Sequence, residues 1–167
     1  MTPGARIQAA IELLEQVWDG ISPPNVLADR DFRKRRYAGS GDRRAINQRL
    51  YDVLRRRARL DWWIERTGLD LQPGGRTRVV ADLAVAERTA PDETAAMFSG
   101  VRHCPGALSP QEAELADALY GRPLRHRDMP RPVAFEYPDW MDASFAALWG
   151  EDTEREIAAL NEQASVD

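Results

Sequence analysis

A chain of 167 residues with 43 % hydrophobic and 30 % charged residues fits one domain with a short appendage and can bury a normal core. No apolar run approaches the roughly 18 residues that a bilayer span needs. The first turns, with Glu12 and Glu15 inside their apolar pattern, lack the order of a signal peptide, so a cytoplasmic, non-membrane protein is expected. Cys104 alone excludes an intramolecular disulfide, and together with His103 and His126 it falls short of a four-ligand zinc site. The net charge of −4 is unevenly shared. Residues 1–66 hold 14 basic and 9 acidic residues, whereas residues 67–167 hold 9 and 18, so one end can meet a polyanion that the other would repel.

The periodicity is helical throughout, which predicts an all-α fold. A first helix over about Ala5 to Trp18 places Ile7, Ala10, Ile11, Leu14, Val17 and Trp18 on one stripe, and Gly20 ends it. Ser22 before Pro23 and Pro24 reads as the N-cap of a second helix reaching about Arg36 through Val26, Leu27 and Phe32. Gly39-Ser40-Gly41-Asp42 then turns the chain, with Asp42 or Ser40 capping a third helix that runs from Arg43 into Trp62-Trp63. These glycines lack the spacing of a P-loop and no strand precedes them, which favours a turn over a phosphate cradle. A mostly buried helix is expected over Arg78 to Arg88, and a short one after Pro91. Ser109-Pro110-Gln111-Glu112 has the form of a capping box and opens a helix to Gly121.

Residues 1–121 thus form one helical domain. Residues 122–137, with Pro123, Pro130 and Pro132, read as an extended loop, and residues 138–167 as a helical segment. In that segment helices are expected from Asp139 to about Trp149 and from Asp152 to about Gln163, the second anchored by Ile157 and Leu160. Trp18, Trp140 and Trp149 lie on apolar stripes and are expected in the core.

The chemistry-bearing stretch is Arg30 to Trp63. On a wheel of about 100° per residue with Ile46 at zero, Leu50, Val53, Leu54, Leu60 and Ile64 fall within about 80° and face the core. Arg44, Gln48, Arg49, Asp52, Arg55, Arg56 and Arg59 fall between about 160° and 300°, an arginine arc with Asp52 as its only acid. Arg57 falls inside the apolar face, as a snorkelling side chain or as a partner of Asp61. Like charges at i, i+4, such as Arg55 and Arg59, cost a few tenths of a kcal/mol each. Phosphates would offset that cost, so a polyanion site is favoured over a solvated charged face. The candidate RNA-binding residues are Arg33, Lys34, Arg35, Arg36, Arg44, Arg49, Arg55, Arg56 and Arg59. The arginines between Arg122 and Arg131 are a weaker second candidate. Trp62 and Trp63 read as helix-packing residues rather than base-stacking ones. No catalytic residue is expected: Cys104 beside His103 lacks a third group to activate it, and the acids at 92–93 and 112–114 sit at helix starts, where the macrodipole favours them.

Two segments carry a family resemblance. RRAINQRLYDVLRRRARLDWWI, with its aromatic-x-VLR followed by LDW, resembles the N-terminal domain of the RsmB (Fmu/Sun) family of ribosomal RNA cytosine 5-methyltransferases. EYPDWMDASFAALWGEDTEREIAALNEQ is similar to that family's later helix and Asn-containing segment. The resemblance implies a NusB-like helical bundle with a C-terminal helical extension. It implies RNA binding without catalysis in this chain, with ribosomal RNA and a C-terminal methyltransferase domain as partners. S-adenosylmethionine and the cysteines of PC and TC motifs would belong to that absent catalytic part, so the chain is expected to be an N-terminal fragment and to hold no cofactor or metal. NusB itself leans on an arginine-rich first helix for RNA; here that helix has only Arg6, which shifts the expected RNA surface to the second and third helices. The alternatives are a self-standing NusB-like antitermination or regulatory factor and a protein-docking helical domain.

Overall fold

The computed structural model describes residues 1–20 and 22–161, and all regular structure among them is helical. The protein divides into two compact units, Met1–Leu124 and Arg125–Asp167. Among the described residues no helix is long and apolar enough to cross a membrane.

The first unit contains α1 (Pro3–Trp18), α2 (Pro24–Lys34), α3 (Ser40–Arg55), α4 (Arg57–Arg66), α5 (Gly75–Val85), α6 (Pro91–Met97) and α7 (Pro110–Leu119). Thr2 caps α1, its hydroxyl accepting from the Ala5 N–H at 3.2 Å, and Gly20 at φ 72° ends the run beyond it. The buried stripe of α1 includes Ile7, Ala10, Ile11 and Leu14 as the spacing predicts, widened by Ala9 and Leu13. At the start of α2 the expected cap is corrected. Pro23 occupies the cap position and no side chain caps the helix, because proline carries no side-chain acceptor for the N–H groups of the first turn; Pro24 follows at the first helical position, where its missing N–H is tolerated. Gly39 is the cap residue of α3, and Asp42 acts from inside the first turn, its carboxylate accepting from the Gly39 N–H at 3.2 Å.

The long third helix expected from Arg43 to Trp63 is two helices. Arg56, at φ −109° and ψ 11°, breaks it between α3 and α4. Arg57, the first residue of α4, is not in an apolar face: its side chain is 59 % exposed and lies 3.7 Å from Asp61. Ile46, Leu50 and Val53 on α3 and Leu60, Trp63 and Ile64 on α4 each point into the core. Trp63 is buried with its indole N–H donating to the Leu124 carbonyl at 3.3 Å, in line with a packing role.

Helix α5 is buried along its length, with Val79, Val80, Ala81, Leu83, Ala84 and Val85 in the core. It packs on α1, α3, α4, α6 and α7. Gly75 permits the approach of α1, since a Cβ there would stand 3.1 Å from the Leu14 Cβ. A buried helix that carries Arg76, Arg78 and Asp82 must pair all three. Arg76 donates to Glu112 of α7 at 2.6 and 3.0 Å, and Arg78 donates to both oxygens of Asp61 of α4 at 2.6 and 3.0 Å. Asp82 accepts from Arg56, at the α3–α4 break, at 2.8 Å. The charges of α5 thus tie the bundle laterally. The capping box at Ser109 and Glu112 forms as the sequence predicts, with reciprocal bonds of 2.8 and 3.2 Å.

The second unit contains α8 (Arg131–Phe135), α9 (Asp142–Trp149) and α10 (Thr153–Leu160), with a single 3₁₀ turn before each of the last two. Helix α8 corrects the expectation of an unbroken loop over 122–137: Pro132 sits in its first turn, where proline is tolerated, and Glu136 in left-handed geometry ends it. Arg131 grips Asp142 with two bonds of 2.8 and 3.0 Å, and the Tyr137 hydroxyl also donates to Asp142. Burial and the bond to Asp142 push the Tyr137 phenol up to about 12. Ile157 is buried as expected. Leu160 is 69 % exposed and Trp140 is 77 % exposed, so neither belongs to the core as expected from sequence. Trp149, half-buried, stacks on Phe145 at 5.0 Å. The predicted helix end near Gln163 lies outside the described residues.

Candidate nucleic-acid interface

Helix α2 ends in Arg33 and Lys34, where cations complement the macrodipole, and the chain then passes Arg35, Arg36 and Tyr37 before α3 begins at Ser40. This corner forms an open groove of about 530 Å³ lined by Asp29, Phe32, Arg33, Arg36 and Arg43. Phe32 is the buried floor, and the Arg43 guanidinium lies 5.8 Å from the centre of its ring. The Nε–H of Arg43 donates to the Ala38 carbonyl at 3.0 Å, which fixes that side chain across the α2–α3 turn. Three guanidinium groups therefore face one carboxylate, Asp29. Such a groove can take an anion, and its aromatic floor can accept an apolar edge.

The nine candidate residues separate by what they touch. Arg33, Lys34, Arg36, Arg44 and Arg55 are exposed and make no ion pair with another described residue. Arg44 and Arg55 share one face of α3, about 16 Å apart along its axis, with Gln48 and Tyr51 between them. Arg55 lies 5.7 Å from the Tyr51 ring centre. Arg59 is half-buried and has a partner within the protein.

The remaining three are engaged inside the bundle. Arg35 donates to Asp31 at 2.7 Å and also pairs with Glu12, and these carboxylates outweigh its burial and raise its already high pKa. Arg49 pairs with Glu87 at 3.0 Å and stands 3.9 Å from Asp82. Arg56 bonds Asp82. Burial pushes the Asp82 carboxyl up, against the pull of Arg56 and Arg49. Asp52 is thus not the only acid facing the arginine arc, because α5 and the residues after it bring Asp82 and Glu87 there from across the fold.

Arg43 belongs to the groove although the sequence reading left it out. The wheel places it about 60° from Ile46, nominally on the core side, but it lies in the first turn of α3 and stays exposed, beside Phe32 of α2. Its position next to a glycine-rich turn was the usable signal. The second candidate stretch offers less free charge: Arg125 pairs with Glu154 at 3.2 Å, Arg127 lies 3.6 Å from Asp128, and Arg131 is held by Asp142. Among the described residues no cluster of His, Cys, Asp or Glu could hold a metal. Comparison with protein-family models, with curated proteins and with solved structures finds no match to this chain.

Proposed function

We propose that residues 1–124 bind RNA through the groove at the α2–α3 corner and the adjoining face of α3, without catalysing a reaction. One observation carries this reading. In a chain of net charge −4 that pairs Arg35, Arg49, Arg56, Arg76 and Arg78 internally, Arg33, Lys34, Arg36, Arg44 and Arg55 stay exposed, and the first two of those arginines join Arg43 in one groove. Clustered guanidinium groups of this kind neutralise successive phosphates and release counterions. The resemblance of residues 43–64 and 137–161 to the RsmB family supports ribosomal RNA as the ligand class. It supports a NusB-like, cytoplasmic, non-catalytic domain of an S-adenosylmethionine-dependent cytosine 5-methyltransferase, whose cofactor would sit outside this chain.

The test is affinity for a ribosomal RNA hairpin as a function of salt. The expected result is a linear fall of log affinity with log salt, with a slope that shrinks by about one for each of Arg33, Arg36, Arg44 and Arg55 changed to Glu. A salt-independent affinity, or one unmoved by the four changes, overturns the reading. A protein-docking role for the second unit is favoured by one observation, the exposure of Trp140, Leu148 and Leu160 at 77, 70 and 69 %.

A further inference from the structure

We infer that Tyr37 and His103 form a stacking platform for an unpaired nucleobase beside the cationic groove, an inference that rests on the RNA-binding reading and narrows it to single-stranded RNA.

Tyr37 is 63 % exposed, an unusual position for an aromatic ring that packs against no core. It is nonetheless held. Its hydroxyl lies 3.5 Å from Arg35, whose guanidinium is itself fixed by Asp31 and Glu12. Its ring centre lies 6.5 Å from that of His103, with the planes tilted by 39°. His103 is exposed and sits in the left-handed region at φ 71°, a conformation uncommon for a non-glycine residue that the surrounding fold must enforce.

That enforcement is visible in the loop. The Cys104 N–H donates to the Val101 carbonyl at 2.8 Å, closing the turn that carries His103, and the Gly100 N–H donates to the Pro105 carbonyl at 2.9 Å. Cys104 packs against the start of α1 at Gly4, where a Cβ would stand 2.8 Å from its sulfur. Two exposed rings from segments far apart in sequence are therefore brought together and fixed. Tyr37 directly follows Arg36, a wall of the groove, so the platform adjoins along the chain the arginines that would meet the phosphates of a bound strand.

Base faces are hidden in a duplex and open in a loop or single strand, and stacking on an aromatic ring is worth about tenfold or more in affinity per base. The test uses the full chain, a labelled unstructured RNA 12-mer and the same 12-mer in a duplex, at one salt concentration. The wild type is expected to favour the single strand. Tyr37→Ala should lower single-strand affinity about tenfold and leave duplex affinity within about twofold, while Tyr37→Phe, which keeps the ring and loses only the long bond to Arg35, should retain the preference for the single strand. His103→Ala should weaken the single strand in the same selective way. Equal losses on both forms, or no loss with Tyr37→Ala while Arg33→Glu/Arg36→Glu still abolishes binding, overturn the platform and leave the phosphate-binding reading standing. Failure of the wild type to bind either RNA overturns both.

Discussion

Arg56, at the break between α3 and α4, meets Asp82 of α5 at 2.8 Å, and the aspartate side chain is wholly buried while the arginine side chain keeps a quarter of its surface in water. The two partners are therefore not equivalent. Arg56→Met leaves an anion buried beside only the more distant Arg49, and should destabilise the protein by about 3 kcal/mol at neutral pH. Asp82→Asn frees a guanidinium that can reach solvent, and should cost less. The pH dependence distinguishes the two. Burial raises the folded Asp82 carboxyl above its unfolded value, so a neutral Asp82 favours the fold and that advantage fades as pH rises through the folded value. The penalty of Arg56→Met should accordingly shrink as pH falls toward about 4, measured by denaturant unfolding across that range.

Arg78 is 6 % exposed, bonds both oxygens of Asp61 and lies 4.1 Å from the Trp18 ring centre, so it joins α5 to α4 and α1 at once. Lysine can supply the charge but neither the two-pronged bond nor the flat face. Arg78→Lys should cost about 2 kcal/mol and Arg78→Ala about 3–5 kcal/mol in chemical denaturation. Near-equality of Arg78→Lys with the wild type would count against the clamp.

Glu112 behaves oppositely to Asp82. Burial pushes its carboxyl up, but the bonds from Arg76 and from the Ser109 backbone outweigh burial and hold it below the ordinary glutamate value. A depressed carboxylate contributes stability above its unfolded pKa and loses it as pH falls through the folded value. Glu112→Gln should lower stability by about 2 kcal/mol at pH 7 and flatten the decline below about pH 4.5. A parallel pH profile in the two proteins would contradict that assignment.

Charge reversal should separate the basic residues into two classes. Arg33→Glu, Arg36→Glu and Arg44→Glu change exposed positions and should leave the unfolding free energy within about 0.5 kcal/mol while weakening RNA binding. Arg49→Glu places a third carboxylate beside Asp82 and Glu87 and should destabilise the fold by about 3 kcal/mol. Thermal melts together with binding isotherms read both properties in the same samples.

In the second unit, Ile157→Ala should cost about 2–4 kcal/mol of that unit's stability, and Leu160→Ala less than about 0.5 kcal/mol, because only Ile157 is buried. Proteolysis rates of the second unit report the difference.

What could be read beforehand follows from range. Local rules located α1, the Ser109–Glu112 cap and the core faces of α3 and α4, since each depends on residues within a turn or two. The α3–α4 break left only one local trace, Arg57 out of place on the apolar face, and the acid that holds Arg56 there lies 26 positions away. The same distance hid the internal use of Arg49 and Arg56: a wheel shows which charges share a face, not which acids another helix delivers to it. Trp140 was misjudged because it sits in a 3₁₀ turn ahead of α9, and the helical stripe does not extend back to it. In residues 122–137 the number of prolines suggested a loop, whereas the first-turn position of Pro132 permitted a helix.

Gly4 carries no group that could touch a ligand, yet a methyl there would stand 2.5 Å from the Met97 carbonyl oxygen as well as 2.8 Å from the Cys104 sulfur. The first turn of α1 is thus a stop against which the 97–104 segment rests. Thickening that stop by one carbon should displace the segment that carries His103 without altering a single charge or ring. The seat of one platform ring thus depends on a residue that contributes no recognition chemistry of its own.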